Sequence, residues 1–271
     1  MSKKWLVIVV AICALSLLIA GCGQNSQQEE DLSWQNIKDK GEFVIGLDDN
    51  FPPMGFRDEK GEIVGFDIDL ANEAAERMGV KVTFKPVEWD GVILSLKSKD
   101  IDVIWNGLTI TEKRQEEISF SDVYLEDRQI IVVQKESAIN TKKDLAGKVV
   151  GLQLGSSSEE ALNNDAETAE SLKEVRKYGS NAEALMDLET GRIEAVVVDE
   201  VAGRYFIAQR PDKYRVLEGE EHFGKESFGV GVRKEDKSFL DELNKAINAM
   251  KEDGTAGEIC TKWFGEDIIT K

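Results

Sequence analysis

The stretch Leu96-Lys-Ser-Lys-Asp-Ile101-Asp-Val-Ile104 has a counterpart further along the chain, Leu188-Glu-Thr-Gly-Arg-Ile193-Glu-Ala-Val196. Both stretches have the layout of a helix end, a polar turn, and a strand that opens with isoleucine and an acidic residue. Identity between them is low, but the shared layout indicates two similar α/β units, each a twisted sheet flanked by helices. We therefore predict an α/β fold with two lobes.

The sequence around these stretches alternates between strand and helix patterns. Short apolar runs without polar alternation are typical of parallel strands buried on both faces. Helix signals lie between the runs: Gly79 stops one helix, Thr111 caps another, and Ser180 with Glu183 forms a capping box. We predict strands at 43–47, 80–87, 101–105, 148–152 and 193–198, a β-branched crossing between the lobes at 129–134, and helices at 67–78, 90–98, after 158, 180–191 and 238–250.

The first residues have the pattern of a bacterial export signal. Lys3 and Lys4 precede an apolar run from Trp5 to Ala20, which ends in Ile19-Ala20-Gly21-Cys22. That ending matches a lipobox, so we expect cleavage after residue 21 and acylation of Cys22. An uncleaved anchor helix is the alternative, although the run is near the lower limit of roughly 17 residues for spanning a bilayer.

Composition limits what can follow the signal. Residues 22–32 have almost nothing to bury and are predicted to be a disordered tether. The remaining chain of 250 residues, out of 271, suits two domains. With Cys13 in the signal and Cys22 acylated, Cys260 has no partner for a disulfide. The net charge of −18 becomes −20 without Lys3 and Lys4, which argues against nucleic acid as a partner.

Ligands of open α/β sheets bind beyond the carboxyl ends of the strands. The loops at those ends carry several polar residues. Arg114 follows one strand and can hold a carboxylate through paired hydrogen bonds, while Asp199 follows another and suits an ammonium group. Ser156 and Ser157 open a helix that could receive an anion. Phe51 and Trp89 could form apolar walls, and Asp48 could add an acceptor.

Each of these residues has a purely structural alternative. Arg114 could be a solvated helix arginine, and Asp199 could cap the helix that begins at Glu200. Ser156 and Ser157 could be caps as well. Aromatic residues such as Phe51 and Trp89 pack into cores by default, and Asp48 could fix its loop as an Asx turn.

Several ordered motifs resemble the polar amino acid family of bacterial solute-binding proteins, which are the periplasmic or lipoprotein components of ABC importers. The likeness extends from about Glu42 to Phe264. Its most specific parts are Gly65-Phe-Asp-Ile-Asp-Leu-Ala71, Trp89-Asp-Gly91, Ile101-Asp-Val-Ile104, Leu108-Thr-Ile-Thr-Glu-Lys-Arg114, Phe120-Ser-Asp-Val-Tyr124 and Asp187-Leu-Glu-Thr-Gly-Arg192.

The resemblance implies a type II periplasmic-binding-protein fold with two lobes and two hinge strands. It places lobe 1 at 33–127 plus 229–271 and lobe 2 at 128–228. By this likeness Arg114 binds the α-carboxylate of an amino acid with help from the backbone at Thr109 and Ser157. Asp199 takes the α-ammonium, together with acceptors near Gly107. The remaining positions surround the side chain: Asp48, Phe51, Trp89, and Asn106, where relatives commonly carry a small residue.

These features predict a monomeric lipoprotein on the outer face of the cell membrane. We expect it to bind a free L-amino acid, with polar or basic side chains favoured, and to deliver it to an ABC permease. No cofactor or metal is expected. A dehydratase-like enzyme on the same fold is one alternative, but His222 is the only histidine. An extracellular sensor module is another, which would need an attached transmembrane and signalling domain.

Overall fold

The computed structural model describes residues 31–219 and 221–270. The predictions for the export signal, for Cys22 and for most of the tether therefore lie outside the described residues. The strands are β1 Glu42–Leu47, β2 Asn50–Phe51, β3 Gly55–Arg57, β4 Ile63–Val64, β5 Lys81–Pro86, β6 Val103–Ile104, β7 Ser119–Phe120, β8 Leu125–Gln134, β9 Val149–Gln153, β10 Glu174–Tyr178, β11 Ala195–Asp199, β12 Tyr214–Val216, β13 His222–Phe228 and β14 Gly231–Val232.

One α-helix precedes the first strand, and the other α-helices lie between and after the strands. Short 3₁₀ turns at Trp89–Gly91 and Lys142–Leu145 accompany them. Within the described residues no helix has the length and apolar character needed to cross a membrane. The α-helices are Ser33–Lys40, Phe66–Met78, Val92–Lys97, Glu112–Glu117, Ser157–Asn164, Ala166–Ser171, Asn181–Glu189, Glu200–Gln209, Lys237–Glu252 and Thr255–Phe264.

Two main sheets organise the chain. The first has the order β5-β1-β6-β14-β7, with β5 and β6 parallel to β1 and with β14 antiparallel to β6 and β7. The second has the order β10-β9-β11-β8-β12, and β13 also pairs with β8. We call the elements around the first sheet the first lobe and those around the second sheet the second lobe. A small sheet of β2, β3 and β4 accompanies the first lobe.

Several strands of the second sheet contain continuous apolar runs in the sequence because hydrophobic clusters cover both faces of the sheet. In β8, Ile130 and Val132 pack into one hydrophobic cluster, whereas Ile131 and Val133 pack into another. Successive side chains of a strand point to opposite faces, so each face is covered by its own core. The apolar runs at 43–47, 148–152 and 193–198 are confirmed as strands β1, β9 and β11, with boundaries shifted by one or two residues.

The repeated layout corresponds to the same packing in both lobes. A Cβ on Gly46 of β1 would lie 2.3 Å from Ile101 Cδ1, and a Cβ on Gly151 of β9 would lie 2.5 Å from Ile193 Cδ1. In each lobe, the isoleucine after the helix therefore lies over a glycine of the neighbouring strand. Only glycine leaves room for that side chain, which explains why each lobe has the pair.

The helix signals are confirmed with helix ends shifted by at most two residues, and two other features differ. Thr111 accepts a bond from the Arg114 amide, and Ser180 forms its capping box with Glu183. The strand predicted at 101–105 is only Val103–Ile104, because Asp102 turns its carboxylate to the Val44 amide. The helix expected to be the last, at 238–250, is followed by Thr255–Phe264, which packs Ala256 and Cys260 into the core.

Strands β8 and β13 form an antiparallel pair in the second sheet. Leu125 pairs with Phe228 at one end of β8, and further along β8 Val132 pairs with Val196 of β11. The crossing expected at 129–134 lies within β8, which begins four residues earlier, at Leu125. The early part of β8 was missed because Glu126, Asp127 and Arg128 interrupt its apolar pattern.

Candidate functional site

The loops after the strands surround a small enclosed cavity between the lobes, of which about 10 Å³ is open to a water-sized sphere. Every residue singled out from the sequence lines it except Thr109, and one unpredicted residue, Gln153, lines it too. A volume this small holds about one water molecule, so the walls of the site lie close together in this structure. The lining residues are Asp48, Phe51, Trp89, Asn106, Gly107, Arg114, Gln153, Ser156, Ser157 and Asp199.

Arg114 is buried at one end of the cavity, with 7% of its surface exposed. The solvated-arginine alternative is therefore wrong. Its Nη1 donates to the Thr109 carbonyl at 2.9 Å and its Nη2 to the Gly155 carbonyl at 3.3 Å, and its Cζ lies 5.9 Å from the centre of the Trp89 ring. Burial lowers the pKa of Arg114, and the negative charge of Asp199 opposes that change. A guanidinium has more N–H groups than these two bonds use, so it can still bind an anion.

Asp199 is the acidic residue of the cavity in the second lobe. It stands at the N-cap position of helix Glu200–Gln209, but its side chain makes no capping bond, so the capping alternative is wrong. Its Oδ1 instead accepts a bond from Gln129 Nε2 at 2.8 Å. Burial raises the pKa of Asp199 to about 7, aided by the charge of Glu226, while the Gln129 bond and Arg114 act in the opposite direction. Pairing with a cation would offset this unfavourable burial of charge.

The two serines differ in their contacts. Ser156 makes no side-chain capping bond, and its Oγ donates to the Gln153 carbonyl at 2.7 Å. Ser157 Oγ lies 3.0 Å from Thr109 Oγ1 of the first lobe. Thr109 thus lies next to the cavity and touches one of its walls. The helix that begins at Ser157 starts at this wall, where helix N-termini favour negative charge.

The aromatic residues form the apolar part of the cavity. Phe51 and Trp89 are both nearly buried, and both line the space. Phe51 also explains the adjacent glycine, since a Cβ on Gly107 would lie 2.8 Å from Phe51 Cε1. Gly107 has a φ of +55°, which L side chains rarely adopt. The Gly107 backbone therefore approaches the ring more closely than any other residue type would allow.

Asp48 and Asn106 lie together in the wall of the cavity. Asn106 Oδ1 accepts a bond from the Asp48 amide at 3.0 Å. Asp48 Oδ1 accepts the Asn50 amide at 2.8 Å, which confirms the Asx turn. The other oxygen, Oδ2, accepts Gln153 Nε2 at 2.7 Å from the second lobe. Burial raises the pKa of Asp48.

Several contributors were missed in the sequence. Asp67 accepts the Gly107 amide at 2.6 Å and the Tyr124 hydroxyl at 3.0 Å, which holds the Gly107 loop in place. Burial raises the pKa of Asp67 to about 7. The motif that begins at Gly65 contains Asp67, and this was the available signal. The sequence signal for Gln129 and Gln153 was weaker: each is a polar residue within or at the end of an apolar strand.

Several hydrogen bonds join the lobes around the cavity. They include the Asp48–Gln153 bond, the Thr109–Ser157 and Thr109–Glu226 bonds, and the bond from Arg114 to the Gly155 carbonyl. Each joins a first-lobe residue to a second-lobe residue. The lobes are therefore closed against each other, and the cavity residues are shielded from solvent.

Comparison with known proteins agrees with this geometry. Residues 43–266 match the family model of the bacterial extracellular solute-binding proteins, family 3. The chain belongs to this family. It is similar to the L-cystine-binding protein TcyJ of Escherichia coli strain K12, with 35% identity over 253 residues that cover 93% of this chain and 92% of the relative.

Two further family members have other ligands in their names. The lysine/arginine/ornithine-binding periplasmic protein of Escherichia coli strain K12 is 38% identical over 231 residues, which cover 83% of this chain and 88% of the relative. A crystal structure of an ABC uptake transporter substrate-binding protein from Streptococcus pneumoniae with bound histidine has 36% identity and a TM-score of 0.85. That match covers 89% of this chain and 99% of the other. The predicted two-lobe fold is therefore confirmed.

Proposed function

We propose that this protein binds a free L-amino acid between its lobes and delivers it to the permease of an ABC importer. The observation that carries the proposal is that Arg114 of the first lobe and Asp199 of the second lobe border the same small buried cavity. A zwitterion is costly to bury unless both of its charges are paired. One buried cation and one buried anion on opposite lobes meet that requirement only when the lobes are closed.

We propose the following roles for the two charged residues. Arg114 binds the α-carboxylate, supported by the backbone at Thr109 and at Ser157, where a helix begins. Asp199 binds the α-ammonium near Gly107. A ligand that pairs with both lobes favours the closed state over the open one, and a difference between these states couples binding to the permease.

Isothermal titration calorimetry tests this assignment. Arg114→Ala should weaken amino acid binding by about a hundredfold or more, because a buried carboxylate loses its charged partner. The matched control is Arg192→Ala, since Arg192 is 67% exposed and pairs with Asp187 away from the cavity. Unchanged affinity in Arg114→Ala would contradict the assignment.

We propose that the ligand has a polar or basic side chain. Asp48 offers a buried carboxylate, and Phe51 and Trp89 supply apolar walls for the aliphatic part. The ligand names of the relatives, cystine, lysine/arginine/ornithine and histidine, support polar or basic ligands without choosing among them. A thermal-shift screen of the common amino acids tests this, after unfolding and refolding to remove ligand that co-purifies; a response only to aliphatic amino acids would contradict it.

We propose binding without catalysis. The support is that neither His222, in β13, nor Cys260, in helix Thr255–Phe264, lines the cavity. Incubation with arogenate or prephenate should give no product, and turnover of either compound would contradict this proposal.

We also propose the remaining features of the sequence prediction. The protein is a monomer, attached to the outer face of the cell membrane by lipid on Cys22, with hinge strands between lobe 1 at 33–127 plus 229–271 and lobe 2 at 128–228. The pairing of β8 with β13 supports the hinge.

Cys22→Ala should release the protein from the membrane fraction, and retention would contradict the anchor. Light scattering tests the monomer.

A further inference from the structure

The side chain of Gln129 lies at the centre of a hydrogen-bond network behind Asp199. Its Nε2 is 2.8 Å from Asp199 Oδ1, 2.9 Å from Glu226 Oε2 and 3.2 Å from Ser157 Oγ. An amide nitrogen carries two hydrogens, so it cannot serve all three acceptors well. The two carboxylates are the nearer and the stronger acceptors. Gln129 therefore holds Asp199 and Glu226 on either side of one amide.

Glu226 extends this network to the other lobe. It lies on β13, and its Oε2 is 3.0 Å from Thr109 Oγ1, a first-lobe hydroxyl that also contacts Ser157. The register places Glu226 opposite Asp127 of β8. Side chains at opposed positions of an antiparallel pair lie on the same face. One carboxylate on a strand of the second sheet thus contacts residues of both lobes.

The charges around Asp199 are unbalanced. Asp127 faces it from β8 and Glu226 from β13, while Arg114 is the cation that acts on it from helix Glu112–Glu117. Asp127 is itself buried, and its pKa is raised well above the usual range. No group of acidic, histidine or cysteine side chains in residues 31–219 and 221–270 is arranged to hold a metal ion. The carboxyl groups of Asp199 and Glu226 against the single guanidinium of Arg114 suit an organic cation, which here is the α-ammonium of the ligand.

We propose that Glu226 is a positioning residue for ammonium binding: it fixes the Gln129 amide against Asp199 and connects that pair to Thr109 of the first lobe. This inference rests on the proposed function, because it concerns the same amino acid site. Glu226 does not line the cavity, so it acts through Gln129, through Thr109 and through its charge. As a consequence, Glu226 also sets the pH range in which Asp199 receives an ammonium group.

The direction in which pH changes amino acid affinity follows from the groups that contact Asp199. The charge of Glu226 raises the pKa of Asp199, whereas the Gln129 bond lowers it. An ammonium group requires Asp199 as a carboxylate, so affinity should fall as the pH drops below about 7. Replacing Glu226 should reduce this loss of affinity at low pH, and replacing Gln129 should increase it.

The experiment measures amino acid dissociation constants by calorimetry at pH 8 and pH 6, using the common amino acid that gives the largest thermal shift. For the wild type, Kd should be about tenfold weaker at pH 6, since that pH lies one unit below the pKa of about 7. In Glu226→Gln the ratio should fall below about threefold, and Kd at pH 8 should weaken by about three- to tenfold. Gln129→Met should raise the ratio above that of the wild type.

Glu126→Gln is the matched control. Glu126 lies on β8, is exposed and bonds Ser227, so the same charge is removed beside the same strands but on the solvent side. Its ratio and Kd should equal those of the wild type. Equal effects of Glu126→Gln and Glu226→Gln, or a wild-type ratio in both Glu226→Gln and Gln129→Met, would overturn the inference about Glu226. Absence of amino acid binding by the wild type would instead overturn the proposed function.

Discussion

Replacing Asp199 by asparagine should separate binding from stability. The structure buries this carboxylate among Asp127, Glu226 and Gln129, with Arg114 as a nearby cation. We therefore expect Asp199 to contribute to ligand binding and not to the stability of the fold. Asp199→Asn should therefore lose amino acid affinity and at the same time make the ligand-free protein more stable at pH 8.

The magnitude follows from the pKa of Asp199. This pKa is about 7 in the folded protein and 3.8 for an unperturbed aspartate. The folded state therefore gains stability from protonated Asp199 below about pH 4 and loses it as the pH rises to about 7. At roughly 1.4 kcal/mol per pKa unit, ionisation costs the folded protein about 4 kcal/mol at pH 8 and about 2 kcal/mol at pH 5.

Asparagine resembles protonated Asp199 and removes this cost. The pKa of about 7 already includes the bond from Gln129, so the gain in unfolding free energy should be about 4 kcal/mol at pH 8. At pH 5 the gain should be smaller, about 2 kcal/mol, because Asp199 is mostly protonated in the folded protein there. Binding should be weakened at the same time, because the buried ammonium loses its charged partner; Kd should rise by about a hundredfold or more.

Urea denaturation of the refolded, ligand-free protein at pH 8 and pH 5 measures the stability change, and calorimetry measures Kd. Asp212→Asn is the control, since Asp212 is exposed in the second lobe and away from the cavity. It should change neither quantity. The reasoning is refuted if Asp199→Asn is less stable than the wild type at pH 8, or if its gain is the same at both pH values.

Two further substitutions test the walls of the cavity. Gln153→Leu removes the bond that occupies Asp48 Oδ2 from the second lobe; binding of lysine and arginine relative to glutamine should rise by about fivefold or more in calorimetry, and an unchanged ratio would contradict this role. Gly107→Ala places a Cβ 2.8 Å from Phe51 Cε1 at a φ of +55°. It should lower the unfolding free energy by about 2–4 kcal/mol in urea denaturation. The control Gly61→Ala has a φ of +83° with open space around it and should lose only about 1–2 kcal/mol; equal losses would contradict the close approach at Gly107.

The sequence predicted the fold well where local signals agree with packing. The isoleucine of each repeated stretch lies over a glycine, so an element of the core was visible as a pattern. The helix caps at Thr111 and Ser180 could also be predicted from the sequence, because each cap joins residues only three positions apart. The helix Thr255–Phe264 was missed because the Asp253-Gly254 break before it reads as the end of the chain's last helix.

The candidate site was predictable in its charged ends but not in its connections. Arg114 and Asp199 follow strands, and strand ends meet at the cleft in this type of fold. The roles of Gln129 and Gln153 depend on partners 70 and 105 residues away, and no local pattern encodes such distances. Asp199 shows the same limit, since an aspartate before a helix reads as a cap until its side chain is seen to bond elsewhere.

The central claim is that Arg114 and Asp199 hold the two charged groups of one amino acid. A crystal structure of the refolded protein with the amino acid that gives the largest thermal shift tests it most directly. The α-carboxylate should lie within about 3 Å of the Arg114 guanidinium, and the α-ammonium within about 3 Å of the Asp199 carboxylate. A ligand bound elsewhere, or bound in this cavity without contact to either side chain, would contradict the account.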